Sequence, residues 1–465
     1  MSAGVRWLPS WRMLAPWAIG TWAAATAVSL TKPAGILLAS VALLTAAALW
    51  ALQAPSRWLL LFFAALLLAP PLPGTALHIA PLFCGLGLMA GALRRSAWHP
   101  LSGDLTLAML LFLAVLVAST VVAALYSGPE IAAGTLVRVL LFAQGAYVLL
   151  YTSTGPAAGG DELIGEARFL FSFGVATALF ACVDFRYQLP APSGYEPQFV
   201  WLADAVLRRA QGVFYDASTL GNLCAFFLLM VIVAMLQPHA HAICAHPFLI
   251  LGGALFSITL AFSYSRASIL NVVAGIAALA VVRRAGMRKA LAILLVSVAV
   301  AAFTLHAAFP GISGSYMDRL RSFQYIGSIP NGVLSGRLTS WTALAAFLTR
   351  EPWHALFGIG YKTLPYTNLA GEHTIADNTY LSLLVETGVA GLAAFLLLNA
   401  AILKTAWRAA HSPRGHAAFF GTWIFCFWTG QMVQMLSGDL ITYWRVLPVY
   451  FWVLGAAARE SREGA

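Results

Sequence analysis

Apolar residues occur along this chain in long uninterrupted runs, such as 105–125 and 291–309, rather than in the short alternating stretches of a barrel. Each run is long enough as a helix to cross a bilayer core of about 30 Å. Backbone groups in hydrocarbon must find partners within their own segment, so these alanine- and leucine-rich runs predict helices. They fall at roughly 14–30, 34–52, 58–70, 76–92, 104–125, 135–151, 168–183, 216–237, 247–264, 267–282, 290–309, 379–403, 416–436 and 443–458. The expected fold is all-α, a polytopic membrane bundle of about 12–14 transmembrane helices.

Two long stretches interrupt the pattern. They divide the chain into N-terminal spans (1–183), a loop (184–215), a second group of spans (216–309), a larger loop (310–376) and C-terminal spans (377–465). The larger loop contains GRLTSWTALAAFLTREPW, in which Leu338, Trp341, Leu344, Ala345 and Leu348 recur with helical period. An amphipathic helix is expected there.

Composition fixes the solvent: 60% of the residues are hydrophobic and 9% charged, where soluble domains have about a quarter charged. The net charge of +10 is read by position rather than by sum, because no basic, aromatic-interleaved domain for nucleic acid is present. With the N-terminus in the cytoplasm, Arg57, Arg94, Arg95, the Arg283, Arg284, Arg288, Lys289 cluster, Lys404, Arg408, Arg414, Arg459 and Arg462 all face inward. Both long loops then face the periplasm across a bacterial-type inner membrane. The first 30 residues resemble a signal peptide, but the spans that follow favour an uncleaved helix.

Cys84, Cys182, Cys224 and Cys426 lie within predicted spans and Cys244 in a cytoplasmic loop, which argues against structural disulfides. That loop also holds His239, His241 and His246, at spacings that match no standard zinc template. No P-loop or dinucleotide fingerprint appears, and no metal or cofactor is expected.

The outer loops hold Arg208, Arg209, Arg319, Arg321, Arg337, Arg350 and Lys362, on the side that topology disfavours for basic residues, although long loops tolerate them. Arg266, between two apolar runs, needs a partner: an ion pair or an anionic ligand. Guanidinium offers planar bidentate donors suited to phosphate, so Arg209, Arg266 and Arg337 are candidates for an anion site. Asp377 stands before a predicted helix, where it would serve as an N-cap or as a general base, and His373 lies nearby. Glu386, about two turns into that helix, is a buried-site candidate or an interhelical ion-pair partner. Tyr215 and Asp216 would contact substrate, orient Arg209 or cap the next helix.

The pieces RAQGVFYDASTLGNL, SYSRAS, SGRLTSW, FGIGY and DNTYLSLLVETGVAGL, in this order from Arg209 to Leu392, resemble the O-antigen ligases and the Wzy-type O-antigen and exopolysaccharide polymerases. The resemblance implies a metal-independent glycosyltransferase acting on undecaprenyl-diphosphate-linked oligosaccharide, with a glycan acceptor and other polysaccharide-assembly proteins as partners. The arginines would hold the diphosphate. Ligases usually have histidine where this chain has Asp377, which tilts the expectation toward polymerisation over ligation to lipid A core. The rival from another class is a flippase or transporter of lipid-linked oligosaccharide.

Overall fold

The computed structural model describes residues 45–72, 77–99, 103–156, 160–192, 194–201, 206–237, 243–308, 336–369 and 374–462. The first predicted span, most of the second, and Arg319 and Arg321 lie outside these residues. The rest is the expected helical bundle: α1 (Arg57–Leu68), α2 (Ala80–Leu93), α3 (Asp104–Ser127), α4 (Pro129–Thr154), α5 (Gly160–Tyr187), α6 (Ala217–Met235), α7 (His246–Phe262), α8 (Arg266–Val282), α9 (Met287–Ala308), α10 (Arg337–Arg350), α11 (Pro352–Phe357), α12 (Thr379–Ala410), α13 (Gly415–Gln434) and α14 (Leu447–Arg462). Among the described helices, α3, α4, α5, α6, α9 and α12 are long and apolar enough to cross a membrane, and α1, α2, α7 and α8 are shorter apolar helices. The chain is a multi-pass membrane protein. Several spans run further than the hydropathy pattern indicates; α5 continues to Tyr187, so Asp184 is helical rather than the start of a loop.

The centre of the bundle is α6, in which every residue from Thr219 to Ala234 is buried. It packs between α7, α8 and α13, while α14 lies along α4 and α12 along both α13 and α3. Polar side chains cross this core as a ladder. The Asn222 amide donates to Gln431 and Gln434 Oε1 at 2.6 and 2.9 Å, and that of Asn271 to the same two atoms at 3.2 and 3.0 Å. Tyr450 donates to Asn222 at 2.6 Å, and Gln434 donates to Ser268 at 3.1 Å. In a hydrocarbon surrounding, side-chain hydrogen bonds of this kind fix helix rotation and register.

The interruption at residues 263–265 is a tight turn in which Tyr264 takes φ 51°, and Ser265 then caps α8 through Ser268 N. The first outer loop holds a short antiparallel pair, Phe199–Trp201 with Val206–Arg208, an addition to the all-helical expectation. The expected amphipathic helix is α10. Leu344 and Phe347 are its buried residues and Ala345 is exposed, so the inner face is centred slightly differently from the predicted one. This helix rests on a small separate core of Ile359, Leu364, Ala376 and Val385 above α12.

All five cysteines are free. Cys244 and His246 belong to the histidine-rich loop, whose His239 and His241 lie outside the described residues.

Candidate functional site

At one end of the bundle the ends of α6, α8, α10, α12 and α13, with the turn after α7, surround a cavity of about 760 Å³. The other end is where the basic loops gather: Arg94 donates to Leu52 O, Lys404 pairs with Asp104, and Arg459 donates to Gly155 O.

Arg209, Arg266 and Arg337 all line this cavity. Arg209 follows the strand pair; its Nε donates to Ser263 O at 2.8 Å and its backbone N to Gln198 O at 2.8 Å, which fixes the side chain across the mouths of α6 and α7. Burial draws the Arg209 guanidinium below the ordinary arginine range and the charge on Arg337 adds to this, while Asp216 and Tyr443 act in the opposite sense. Arg266 is the first residue of α8 and is half-buried. Arg337 opens α10, and its Nε meets Asp377 Oδ2 at 3.2 Å. Three guanidinium groups in one cavity make a local field that favours a multiply charged anion.

Asp377 lines the cavity beside them, and its backbone takes φ 43°, a conformation that aspartate and asparagine adopt more readily than most residues with a side chain. It is not the helix cap that its place in the sequence suggested. Asn378 has that role, accepting from Tyr380 N at 3.0 Å and Leu381 N at 3.1 Å. The carboxylate of Asp377 is thereby left to Arg337 and the cavity.

The chain builds the next wall with a broken helix. α12 departs from helical geometry at Gly388 (φ 69°, ψ −171°). The carbonyls freed by the break are taken up by another segment: Ile359 N donates to Val385 O at 3.1 Å and Gly360 N to Glu386 O at 2.9 Å. This approach needs glycine on both sides, because a Cβ at Gly358 would lie 2.3 Å from Glu386 O and one at Gly388 would lie 2.2 Å from Leu356 O. The FGIGY and VETGVAG pieces are therefore two halves of one backbone contact. Irregular backbone at this depth is tolerated where protein covers it or a cavity adjoins it.

The break aims Glu386 at Lys362, which follows FGIGY directly. Lys362 Nζ is 3.8 Å from Glu386 Oε2 and pairs closely with Asp439 Oδ2. Ser382 Oγ donates to Glu386 Oε2 and lies within hydrogen-bond distance of Asp439 Oδ2, both at 3.0 Å. Lys362, Ser382, Glu386 and Asp439 all line the cavity.

Of the other sequence candidates, Asp216 lines the cavity and caps α6, accepting from Thr219 N at 2.7 Å. Tyr215 is not among the lining residues; its ring packs tilted against that of Tyr195, centres 5.0 Å apart. His373 lies outside the described residues. Arg208 is taken up by Asp184 at 3.4 Å and Leu189 O at 2.8 Å.

Sequence reasoning overlooked Asp439, Ser382 and Tyr443, and placed Lys362 only among several loop cations. A signal was present for Asp439: no other acidic residue occurs between Glu386 and Glu460. It also overlooked Arg445, buried in a smaller neighbouring pocket that shares Asp216, Thr442 and Tyr443 with the cavity, where it donates to Leu66 O at 2.7 Å, Ala69 O at 2.7 Å and Val213 O at 2.5 Å. That arginine ties the end of α1 to the first outer loop. Burial draws its pKa down to about 10, which leaves it charged at neutral pH.

Residues 251–396 match the Wzy_C family model, described as O-antigen ligase. The matched segment contains Arg266, Arg337, Lys362, Asp377 and Glu386, while Arg209 and Asp439 lie on either side of it. No curated protein matches the chain.

Proposed function

From a membrane chain that contains this O-antigen ligase-family domain, we propose a glycosyltransferase that polymerises undecaprenyl-diphosphate-linked oligosaccharide units at the periplasmic face of the inner membrane. The observation that supports it best is the gathering of Arg209, Arg266 and Arg337 with Asp377 in one cavity, at the end of the bundle away from the basic loops. An acceptor hydroxyl attacks the anomeric carbon of the donor, the carbon–oxygen bond to the diphosphate breaks, and the bonding electrons leave with the diphosphate. The guanidinium groups stabilise the charge that accumulates there, and Asp377 accepts the proton of the attacking hydroxyl. The leaving group supplies the driving force. A flippase would need cations along a path through the bundle, whereas these three line a cavity at its end.

Ligation to lipid A core is the second reading, favoured by the description of the matching family. Product analysis separates the two: purified protein given undecaprenyl-diphosphate oligosaccharide should yield a ladder of lengthening lipid-linked glycan, and a single transfer to lipid A core would establish ligation instead.

Replacing Arg209, Arg266 or Arg337 by Ala should remove most activity at normal membrane abundance, with Lys restoring only part, since a point charge does not reproduce two parallel hydrogen bonds to phosphate. Full activity in a stable Ala variant would remove that residue from the diphosphate clamp. The orientation has its own test. In a cysteine-free background, an impermeant maleimide applied to spheroplasts should label Thr349→Cys, on exposed α10, and leave His411→Cys, at the far end of α12, unlabelled until the membrane is opened.

A further inference from the structure

We propose that Asp439, held by Lys362 and Ser382, is the residue that grips a hydroxyl of the acceptor glycan, so that the cavity has an acidic sugar-binding wall as well as a cationic diphosphate-binding one. This rests on the glycosyltransferase reading above and deepens it.

Within the Lys362, Glu386, Asp439 cluster one ammonium serves two carboxylates. Glu386 is almost fully buried and well provided for: it accepts from Ser382 at 3.0 Å and from Leu364 N at 3.4 Å, besides its pairing with Lys362. Asp439 is different. Its Oδ2 meets Lys362 Nζ and Ser382 Oγ, while its Oδ1 is buried and has no hydrogen-bond donor among the described residues. The Asp439 side chain is 18% exposed and lines the cavity, against 1% for that of Glu386, so of the two carboxylates it is the one a ligand meets, and a carboxylate short of donors favours a ligand that brings one.

The partner must be a hydrogen-bond donor that is not an anion. Phosphate oxygens have no proton to give at neutral pH and are repelled by two acids, so the diphosphate belongs with the arginines. A sugar hydroxyl donates one hydrogen bond, is neutral, and is abundant on the proposed substrate. Lys362 fixes the orientation of Asp439. The lysine is 7% exposed, sits at φ 58°, and its carbonyl receives Arg138 of α4 at 3.3 Å. Thr135 of the same helix donates to Tyr361 O at 2.9 Å. The acidic wall is thus anchored on α4 and α12, and the arginines on α8, α10 and the first outer loop, so the two ends of a donor–acceptor pair are recognised by separate elements.

Binding to the full-length protein in nanodiscs tests this with two probes. One is the water-soluble oligosaccharide released by mild acid from the source cell's lipid-linked glycan; the other is farnesyl diphosphate. Asp439→Asn should weaken oligosaccharide binding about 10- to 100-fold, the loss of a charge-assisted hydrogen bond, and leave farnesyl diphosphate binding unchanged. Arg209→Ala should do the reverse, and in the transfer assay Asp439→Asn should raise the KM for acceptor far more than that for donor. Unchanged oligosaccharide affinity in Asp439→Asn, with farnesyl diphosphate still bound, would overturn the acidic wall and spare the glycosyltransferase reading. Equal loss of both probes would reduce the cluster to scaffold. Wild-type protein that binds neither probe would remove the functional reading, and this inference with it.

Discussion

Asp377→Asn is expected to abolish most transfer, a fall of about 10² to 10⁴ in rate, while the variant accumulates in the membrane at wild-type level. The substitution keeps volume and removes the basic carboxylate. Two observations separate chemistry from structure. The cap of α12 is supplied by Asn378, so the helix start is retained. The Arg337 to Asp377 pair is open to solvent, at 26% and 47% side-chain exposure, and an ion pair so placed contributes about 0–1 kcal/mol to stability. Asp377→Ala should therefore resemble Asn in both abundance and rate, which would not hold if this residue capped the helix. Initial rates on lipid-linked oligosaccharide, normalised to protein in the membrane, decide it; near-normal turnover in the Asn variant would remove Asp377 as the base.

The second large effect is expected at Gly388. Gly388→Ala places a methyl group 2.2 Å from Leu356 O at a backbone φ of 69°. With ψ at −171° this backbone lies in a region essentially reserved for glycine, where an L-residue alone costs about 1–3 kcal/mol, and the neighbour is main chain, which has little room to yield. Moving α11 away would also strip the carbonyls of Val385 and Glu386 of their donors. Loss of transfer together with a clear fall in thermal stability in detergent should result. Gly85→Ala is the matched control, since nothing lies within 4 Å of its added carbon and alanine favours the helix by up to about 1 kcal/mol. A Gly388→Ala protein as stable and active as the Gly85→Ala one would show that the break in α12 is dispensable.

Much of the bundle was legible because the controlling quantity is one-dimensional: an apolar run of sufficient length must be helical in lipid. The span ends were less so. α4, α5 and α12 continue past their apolar runs, where polar side chains remain helical beyond the point at which hydropathy falls. The arginines were legible for the same kind of reason, as Arg266 is a charge between apolar runs with no neighbour in the sequence to pair with. Asp439 and Lys362 were not, since their meaning lies in each other, across 77 residues of chain. The strand pair at 199–208 is only three residues deep, too short for alternation to stand out. Of the two roles open to Asp377, the cap belongs one position on, at Asn378, because adjacent Asp and Asn are equally good caps and only backbone geometry distinguishes them.

The polar ladder through α6 also bears on how the protein is made. Asn222 and the glutamines it serves are 209 and 212 residues apart, so α6 emerges well before α13 exists. At about 5–20 residues per second, that wait is on the order of 10–40 s. During it the Asn222 amide sits in or near lipid without its final acceptors. The helix that becomes the most enclosed of the described candidate spans thus begins as an unfinished surface. Synthesis halted before α13 would leave an amide able to pair with any polar membrane helix nearby, which is a route to wrong association and to recognition by membrane quality control.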